Sequence, residues 1–367
     1  MTSVEEAVRS EIRRRGPIPF EEVMARALYD PEHGFYTTTG QAGRRGDFLT
    51  SPEVGPLFGA VVARALDGWW TEEGEPEVFT VVEAGAGPGA LARSVLAAAP
   101  RCTIALRYVL VEVSERQRAV HASHLELEQP AFAFATPRDL DAEEPASVAP
   151  GPIVVSLGAL PRVPGPCVVL ANELLDNLPV GLQERTELGW DEVRVGLAGE
   201  AVTEVVVPGN SVSGPDAPVG ARIPVARAAA DWVRDAIDVA GPGGRVVAFD
   251  YASTSAELAQ RPWTDWLRTY RGHERGGAVL AHLGEQDITC EVPVDQLPAP
   301  SREVSQADWL RAHGIEDLVE EGRATWRERA ALGDLEAVRA RSRVNEAEAL
   351  LDPTGLGAFR VLEWEGG

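Results

Sequence analysis

The feature that most constrains the fold is a series of β-rich apolar runs that alternate with helical stretches. The runs are Val78 to Ala84, Ala105 to Val113, Pro166 to Ala171 and Arg245 to Tyr251. Helical patterns lie between several of them, at Ala90 to Ala99, Glu115 to Leu127 and Val225 to Val239. Strands with few polar residues are typical of parallel sheets, because helices cover both faces of such sheets. The sequence therefore predicts an α/β fold with a parallel central sheet.

Segments outside this alternation predict additions to the core. Val4, Val8 and Ile12 recur at helical spacing, and Phe20 to Leu28 has the pattern of a second short helix. Between Val180 and Val207, short β-rich runs separated by glycines are typical of antiparallel hairpins. We therefore expect an N-terminal helical preface and a hairpin insertion beside the core.

The same patterns divide the chain into three predicted domains. Residues 1–75 form the N-terminal helical segment. The α/β core takes residues 76–260 and contains the hairpin insertion at 180–210. Residues 261–367 are expected to supply helical C-terminal additions and a final strand, with two or more of the helices between Ser305 and Leu351.

Charge and cysteine usage exclude several classes of protein. The 367 residues carry a formal net charge of −23, and because the sequence contains no lysine, all 34 basic residues are arginine. No nucleic-acid partner is expected, because phosphate binding needs clustered positive charge. Cys102, Cys167 and Cys290 are odd in number and widely spaced, which argues against a disulfide framework and favours a cytoplasmic location. No run approaches the roughly 20 apolar residues that span a bilayer, so membrane insertion is not expected.

A glycine-rich turn carries the strongest chemical signal. The run that ends at Glu83 leads into Gly85, Gly87 and Gly89, and a helix begins directly afterwards. Glycine lets the backbone approach a ligand closely and adopts angles that a Cβ forbids. Glu112 ends the next run about 20 residues later, the interval at which a carboxylate binds ribose hydroxyls in nucleotide-binding βαβ units. The pattern predicts a cofactor that contains a nucleoside.

Two cofactors compete for this turn. Dinucleotide sites favour G-x-G-x-x-G, whereas this chain has G-x-G-x-G with an acidic residue two positions before the first glycine. The second pattern is similar to the first motif of class I methyltransferases, which bind S-adenosylmethionine. A P-loop is excluded because the chain has no lysine. The structural alternative is a glycine-rich turn that binds no ligand.

Three polar residues that follow the third β-rich run are candidates for catalysis. Asn172, Glu173 and Asp176 come at the carboxyl end of a predicted buried strand, where open α/β sheets bind ligands. Two carboxylates and an amide can hold a guanidinium, because this cation pairs with carboxylate through two parallel hydrogen bonds. The alternative is local: Asn172 would cap a short helix whose acidic first turn contains Glu173 and Asp176.

The segment before the core contains a second set of candidates. Asp47, Ser51 and Glu53 lie in the sequence GDFLTSPE. Within it, Thr50 and Glu53 also fit a capping box, in which each side chain accepts a hydrogen bond from the other residue's backbone. The spacing alone favours this local interpretation. The apolar-rich stretch that follows predicts a helix from Thr50 to Trp70.

Two histidines stand three residues apart on one predicted helical face. His121 and His124 have no partner ligands at the spacing that metal sites show, so the sequence predicts solvated side chains and no bound metal.

Several segments together resemble one family, the MidA-like methyltransferases related to the mitochondrial complex I assembly factor. They occur in family order across residues 17 to 300. The segments are PI at 17–18, YDPEHGFY at 29–36, GDFLTSPE at 46–53, LFG at 57–59, EAGAGPGAL at 83–91, LVEVS at 110–114, ANELLD at 171–176, LPV at 178–180, FDY at 249–251, YRG at 270–272 and DIT at 287–289.

The resemblance implies a class I methyltransferase fold with a Rossmann-like sheet of seven strands. It implies S-adenosylmethionine as the methyl donor and S-adenosylhomocysteine as the product. Two sets of cofactor-binding residues carry over: the first is Glu83, Gly85, Gly87, Gly89 and Glu112, and the second, which would close over cofactor or substrate, is Asp47, Ser51 and Glu53.

For the mitochondrial relative, the resemblance implies symmetric dimethylation of an arginine on a complex I subunit. A protein substrate of that kind is expected here. Glu173 and Asp176, with Asn172 beside them, would then orient one guanidinium nitrogen and share the proton released later. The alternatives are a small-molecule methyltransferase, a non-catalytic assembly factor that binds the cofactor, and a nicotinamide-dependent dehydrogenase.

Overall fold

The computed structural model describes residues 3–38, 50–134, 150–208, 214–271, 274–332 and 334–367. The chain forms two compact units whose segments interleave along the sequence. Unit 1 comprises Met1–Phe48, Glu173–Asp235 and Asp250–Ala299, and unit 2 comprises Leu49–Asn172, Ala236–Phe249 and Pro300–Gly367. The division of the sequence at residues 75 and 260 stays a prediction.

Helices and strands occur throughout the described chain. The helices are α1 (Val4–Arg15), α2 (Phe20–Tyr29), α3 (Phe35–Thr38), α4 (Ser51–Val54), α5 (Pro56–Glu72), α6 (Ala90–Ala97), α7 (Glu115–His121), α8 (Pro130–Phe134), α9 (Arg227–Ala240), α10 (Ser255–Ala259), α11 (Gln306–Ala312), α12 (Ile315–Arg329) and α13 (Leu335–Leu350). The strands are β1 (Ile18–Pro19), β2 (Phe79–Ala84), β3 (Leu106–Val111), β4 (Ile153–Leu157), β5 (Cys167–Asn172), β6 (Gly181–Thr186), β7 (Gly189–Ala198), β8 (Ala201–Val207), β9 (Arg222–Val225), β10 (Arg245–Asp250), β11 (Ala252–Ser253), β12 (Leu267–Arg271), β13 (Glu274–Arg275), β14 (Asp287–Cys290), β15 (Val292–Pro293), β16 (Arg302–Ser305) and β17 (Arg360–Glu365).

Unit 2 is built on a seven-stranded sheet in the order β16-β17-β10-β5-β2-β3-β4. The strands from β10 to β4 run parallel, and β16 pairs antiparallel with β17. Every residue of β2 and β3 is buried, as expected for apolar strands covered on both faces. The predicted α/β fold is confirmed, and the four β-rich runs of the sequence are β2, β3, β5 and β10.

The strand order reverses beside β2. From β2 the chain moves outward to β3 and β4 on one side, and then returns to β5 on the other side of β2. Ligands of open α/β sheets bind outside the carboxyl ends of the strands at such a reversal. The glycine-rich turn follows β2 directly, so it lies at this point of the sheet.

Unit 1 contains the predicted hairpins. β6, β7 and β8 are antiparallel neighbours, and β1 and β9 complete this five-stranded sheet. The hairpin insertion is therefore confirmed, although residues 209 and 210 at its end lie outside the described residues. Three further strands pair in the order β13-β12-β14. The sequence analysis did not predict this smaller sheet.

The predicted helix from Thr50 to Trp70 begins as expected but is divided in two. Thr50 and Glu53 form the capping box of α4. α4 ends at Val54 and α5 begins at Pro56, because the proline ring disfavours a helical conformation of the residue before it. The expectation of one continuous helix was wrong for this reason.

The C-terminal additions match the sequence analysis. The charged segment from Ser305 to Leu351 contains α11, α12 and α13, and β17 is the final strand. α7 is shorter than predicted and ends at His121 rather than Leu127. Of the helices in the described ranges, none combines 18 residues with the apolar composition needed to cross a bilayer.

Gly59 marks a close approach between α5 and α6. A Cβ built on it would lie 2.3 Å from Ser94 Cβ and 2.9 Å from the backbone nitrogen of Val95. Real Cβ atoms do not approach other carbon atoms this closely, so any larger residue would force the two helices apart.

We expect Gly59→Ala to destabilise the protein by about 1–3 kcal/mol, the usual cost of overpacking an interior. Gly68→Ala in the same helix is the matched control, because nothing lies within 4 Å of its added Cβ. That control should stabilise by up to about 1 kcal/mol through helix propensity. Urea unfolding measures both changes, and equal midpoints for the two variants would contradict the close approach at Gly59.

Candidate active site

The glycine-rich turn in unit 2 depends on glycine at three positions. Gly85, Gly87 and Gly89 have φ angles of 66°, 52° and 80°, in the left-handed region that costs other residues about 1–2 kcal/mol. Gly85 is exposed directly after β2, so its backbone is open to a ligand. A Cβ at Gly89 would lie 3.2 Å from Leu110 Cδ2. The turn is therefore a backbone cradle that side chains would fill or distort.

Glu112, which follows β3, holds this turn in place. Its Oε2 accepts a hydrogen bond from Gly87 N–H at 2.9 Å, and its Oε1 accepts one from Ser114 N–H at 2.7 Å. Burial raises the pKa of the carboxyl group, and the bonds from Ser114 and Gly87 lower it. A carboxylate offers about four lone-pair sites, so both oxygens keep capacity for ribose hydroxyls. Its contact with the cofactor stays a prediction.

Glu83 joins three elements of unit 2. Its Oε2 accepts a hydrogen bond from Tyr108 OH at 2.7 Å, and its carboxyl group accepts one from the backbone of Ala92 in the first turn of α6. Burial raises the pKa of Glu83 to about 7. Through these hydrogen bonds, the Glu83 side chain connects β2 to β3 and to α6. A direct contact with the cofactor stays a prediction.

Ser51 and Glu53, the candidate cofactor-binding residues in α4, have hydrogen-bond partners within unit 2. Ser51 is fully buried, and its Oγ donates to Gln306 Oε1 at 3.1 Å. Glu53 Oε2 accepts from Thr50 N–H at 3.4 Å. Asp47 lies outside the described residues. That these side chains close over cofactor or substrate stays a prediction.

The expectation that both histidines are solvated was wrong for His121. Its side chain is fully buried, and Nε2 lies 2.7 Å from the carbonyl oxygen of Gly87. His124 is exposed, as expected. Helical spacing alone did not show which of the two faces the interior. Within the described residues, no group of three or more His, Cys, Asp or Glu side chains is arranged to hold a metal ion.

A second group of polar residues lies in unit 1. It includes the segment that directly follows β5 and the last residue of β10, Asp250. Asp250 Oδ2 accepts from the backbone N–H groups of Leu175 and Asp176 at 2.8 and 3.3 Å, and its Oδ1 accepts from Tyr251 N–H at 2.9 Å. Asp250 therefore caps the short 3₁₀ turn at Leu175–Asn177. The local alternative in which Asn172 is the cap was wrong.

Asp176 is a carboxyl group in an unfavourable place for a charge. It is 5% exposed, and its Oδ1 has no hydrogen-bond partner among the described residues. Burial raises its pKa well above the usual range, and the charges of Asp250 and Asp287 raise it further. Burial and the charge of Glu173 raise the pKa of Asp250 to about 8. These carboxyl groups thus share one environment from which water is largely excluded.

Asp287, in β14, lies near the same carboxyl groups. We call Glu173, Asp176, Asp250 and Asp287 the acidic cluster. Its Oδ1 accepts hydrogen bonds from Tyr36 OH at 3.1 Å and from Asn177 Nδ2 at 3.2 Å. Tyr29 OH donates to the carbonyl oxygen of Asn177 at 3.0 Å, and the rings of Tyr29 and Tyr36 stack with centroids 5.6 Å apart. The segment YDPEHGFY thereby supports Asp287.

Glu173 has a strained backbone. It is half-buried, and its φ of 51° lies in the left-handed region that a residue with a Cβ rarely adopts. Such outliers occur preferentially at functional sites. Of the three predicted catalytic residues, Glu173 and Asp176 belong to unit 1, and Asn172 ends β5 in unit 2.

Three members of the acidic-cluster region were not singled out as site residues by sequence reasoning: Asp250, Asp287 and Tyr36. Asp250 ends a β-rich run, as Glu83 does, so the carboxyl-end rule could have found it. Asp287 and Tyr36 lie 251 positions apart in the sequence, and no local pattern relates them.

The sheet order and the turn after β2 define a class I methyltransferase. A family model described as "Putative S-adenosyl-L-methionine-dependent methyltransferase" matches residues 61–313. A crystal structure of a protein from Burkholderia thailandensis bound to S-adenosyl-homocysteine is 27% identical, with a TM-score of 0.75 over 98% of this chain and 91% of the other.

Two relatives whose names state an activity identify the family more specifically. The bovine "Protein arginine methyltransferase NDUFAF7, mitochondrial" is 30% identical over 343 residues, which are 83% of this chain and 72% of the relative. The homologue from Drosophila melanogaster is 34% identical over 205 residues, 53% of this chain and 45% of the relative, so that alignment spans less than half of its length. The chain belongs to this family of S-adenosylmethionine-dependent methyltransferases.

S-adenosylmethionine is therefore the cofactor, and the residues fit it. The open backbone at Gly85, the left-handed glycines and the spare acceptor capacity of Glu112 fit the ribose of a nucleoside. The predicted recognition, fold class and cofactor are confirmed.

Glu83 should make the protein less stable as the pH rises. The unfolded chain loses this proton near pH 4.5, whereas the folded protein keeps it to about pH 7. The stability due to the proton is thus fully present below pH 4.5 and is lost as the pH rises to about 7. We expect Glu83→Gln to lose less stability than the wild type across this window, measured by denaturant unfolding.

The exposed Glu126 supplies the matched control. Glu126→Gln should follow the wild-type dependence on pH. If the Glu83 variant also followed it, Glu83 would not hold a proton in the folded protein.

Proposed function

We propose that this methyltransferase transfers methyl groups to an arginine side chain of a protein. The acidic cluster of unit 1, formed by Glu173, Asp176, Asp250 and Asp287, carries the proposal. The names of the relatives, which are protein arginine methyltransferases, support it.

A guanidinium fits the electrostatics of the acidic cluster. Buried carboxylates that raise one another's pKa are stabilised by a cation, which favours their ionised forms. Arginine keeps its charge up to a pH of about 12 and presents five N–H donors in a planar fork. Asp176 Oδ1 has no partner among the described residues, so it can accept one of these donors. A neutral acceptor would leave the repulsion uncompensated.

The cluster also supplies a group that can take a proton. The bound cofactor provides an electrophilic methyl group on a sulfonium sulfur. Methylation removes one proton from the acceptor nitrogen, because the methylated guanidinium keeps a single positive charge. Asp176 would hold that proton at Oδ1, where burial and the neighbouring carboxylates favour the protonated form. Glu173 would orient the nitrogen.

The proposal extends to a partner and a location. A respiratory complex I subunit is the first candidate partner, on the resemblance to the complex I assembly factor. A reducing cytoplasm is the proposed location, supported by Cys102, Cys167 and Cys290, which are free thiols.

Asp176→Asn should abolish the methylation of protein arginines, with a loss of about 10²–10⁴-fold for a missing proton acceptor. The affinity for S-adenosylhomocysteine should stay within about twofold, since the described partners of the glycine-rich turn do not include Asp176. The assay incubates cell-extract proteins with purified enzyme and methyl-labelled S-adenosylmethionine, and mass spectrometry identifies the labelled residues. Asp265→Asn, an exposed site in unit 1, is the matched control.

The same assay separates the alternative functions. Labelled metabolites without labelled protein would indicate a small-molecule methyltransferase. Binding of S-adenosylhomocysteine without any labelled product would indicate a non-catalytic assembly factor. Either outcome would contradict the proposal.

The KM for the protein substrate should fall as the pH rises towards about 8. Asp250 keeps its proton to about pH 8 when no cation is bound, so pairing with guanidinium must release that proton at lower pH. Substrate affinity therefore rises with pH and levels off above about 8. KM measured across this range tests the slope, which Asp250→Asn should reduce. A flat wild-type profile would contradict proton release on binding.

A further inference from the structure

We propose that His121 is a positioning residue for the cofactor and acts through the backbone carbonyl of Gly87. The role is testable because His121 has two defined partners, Gly87 and Ser156. His124 supplies a matched control. The inference rests on the methyltransferase class and is independent of the proposal that arginine is the acceptor.

The hydrogen bonds of His121 define its tautomer. Nε2 lies 2.7 Å from the carbonyl oxygen of Gly87, and Nδ1 lies 2.8 Å from Ser156 Oγ. A carbonyl oxygen only accepts, so Nε2 must carry the hydrogen. Nδ1 of the neutral ring then accepts from the Ser156 hydroxyl. Burial lowers the pKa of the ring, which favours this neutral form.

His121 and Glu112 hold the two polar groups of one residue. Glu112 Oε2 accepts from Gly87 N–H, and His121 donates to Gly87 C=O. Gly87 has a φ of 52° and no side chain, so the two side-chain bonds act on a backbone that glycine alone would leave conformationally free. Because a free glycine backbone samples many conformations, the two bonds reduce the entropy lost when the turn receives a ligand.

The burial of His121 distinguishes it from the neighbouring histidine. His121 is fully buried in α7, whereas His124 is exposed one turn later. A Cβ on Gly89 would lie 3.4 Å from His121 Cδ2, so the ring packs against the turn at a second point. The position of the ring is thus linked to Gly87 and Gly89, the second and third glycines of the turn.

The experiment titrates S-adenosylhomocysteine into purified variants by calorimetry. His121→Leu should weaken binding at least about tenfold, as expected when a buried carbonyl loses its donor. His121→Gln should recover most of this loss, because the glutamine amide can donate from a similar position. His124→Leu should bind as the wild type does. A wild-type affinity for His121→Leu, or an equal loss in His124→Leu, would overturn the proposal.

Two further readouts separate positioning from general stabilisation. In the cofactor-free protein, the Gly87 amide should exchange hydrogen faster in His121→Leu, with no similar change in the buried strand β5. At saturating S-adenosylmethionine, kcat and the KM for the methyl acceptor should change little. When the concentration of S-adenosylmethionine is varied instead, its own KM should rise. Equal changes throughout the protein would indicate a structural role only.

Ser156→Ala keeps the proposal testable if His121→Leu does not fold. It removes the donor to Nδ1 and should weaken S-adenosylhomocysteine binding by a smaller factor. In the His121→Gln background, the same change should have less effect than in the wild type, because the two residues act through one chain of bonds. Additive effects would overturn the proposal. These titrations use no methyl acceptor, so failure of the arginine proposal would leave their outcome unchanged.

Discussion

Parallel pairing of β2 with β3 and β5 decides where polar groups can lie in unit 2. Every residue of β2 and β3 is buried, as is every residue of β5 except the last, Asn172. An unpaired polar side chain inside such a sheet would carry a large desolvation cost. The polar residues therefore collect where strands end. Glu83 and Glu112 stand at the carboxyl ends of β2 and β3, and this restriction places the glycine-rich turn and its acidic partners together.

The acidic residues differ in whether both of their carboxyl oxygens have hydrogen-bond partners. Glu112 accepts two backbone N–H groups and Asp250 accepts three, so both position segments of chain. The carboxyl group of Asp176 also accepts from backbone N–H groups, those of Asp176 and Asn177, but its Oδ1 has no partner among the described residues, although the residue is buried. A buried acceptor left in this state is stabilised by an incoming donor, which is the physical basis of the proposed cationic substrate.

Local patterns in the sequence predicted much of the core. The apolar strands and the glycines with left-handed φ angles depend on near neighbours in the chain, so their spacing carries the information. Glu112 was found through the interval of about 20 residues that is typical of nucleotide-binding βαβ units. Asp250 and Leu175 lie 75 positions apart, and His121 and Gly87 lie 34 positions apart. Such pairs meet only after the strands have assembled, because neither partner has a local signature of the other. His121 shows the consequence, since helical spacing alone did not reveal its burial.

Glu173 has a strained backbone conformation and also contributes a negative charge to the acidic cluster. A glycine would adopt its φ of 51° freely, whereas a side chain there costs about 1–3 kcal/mol. The carboxyl group that is present instead raises the pKa values of Asp250 and Tyr251, after the effect of burial. Its negative charge therefore favours the protonated form of Asp250 and would make the binding of a cation more favourable. If the substrate is the proposed arginine, this strained backbone position supplies part of the charge that favours it.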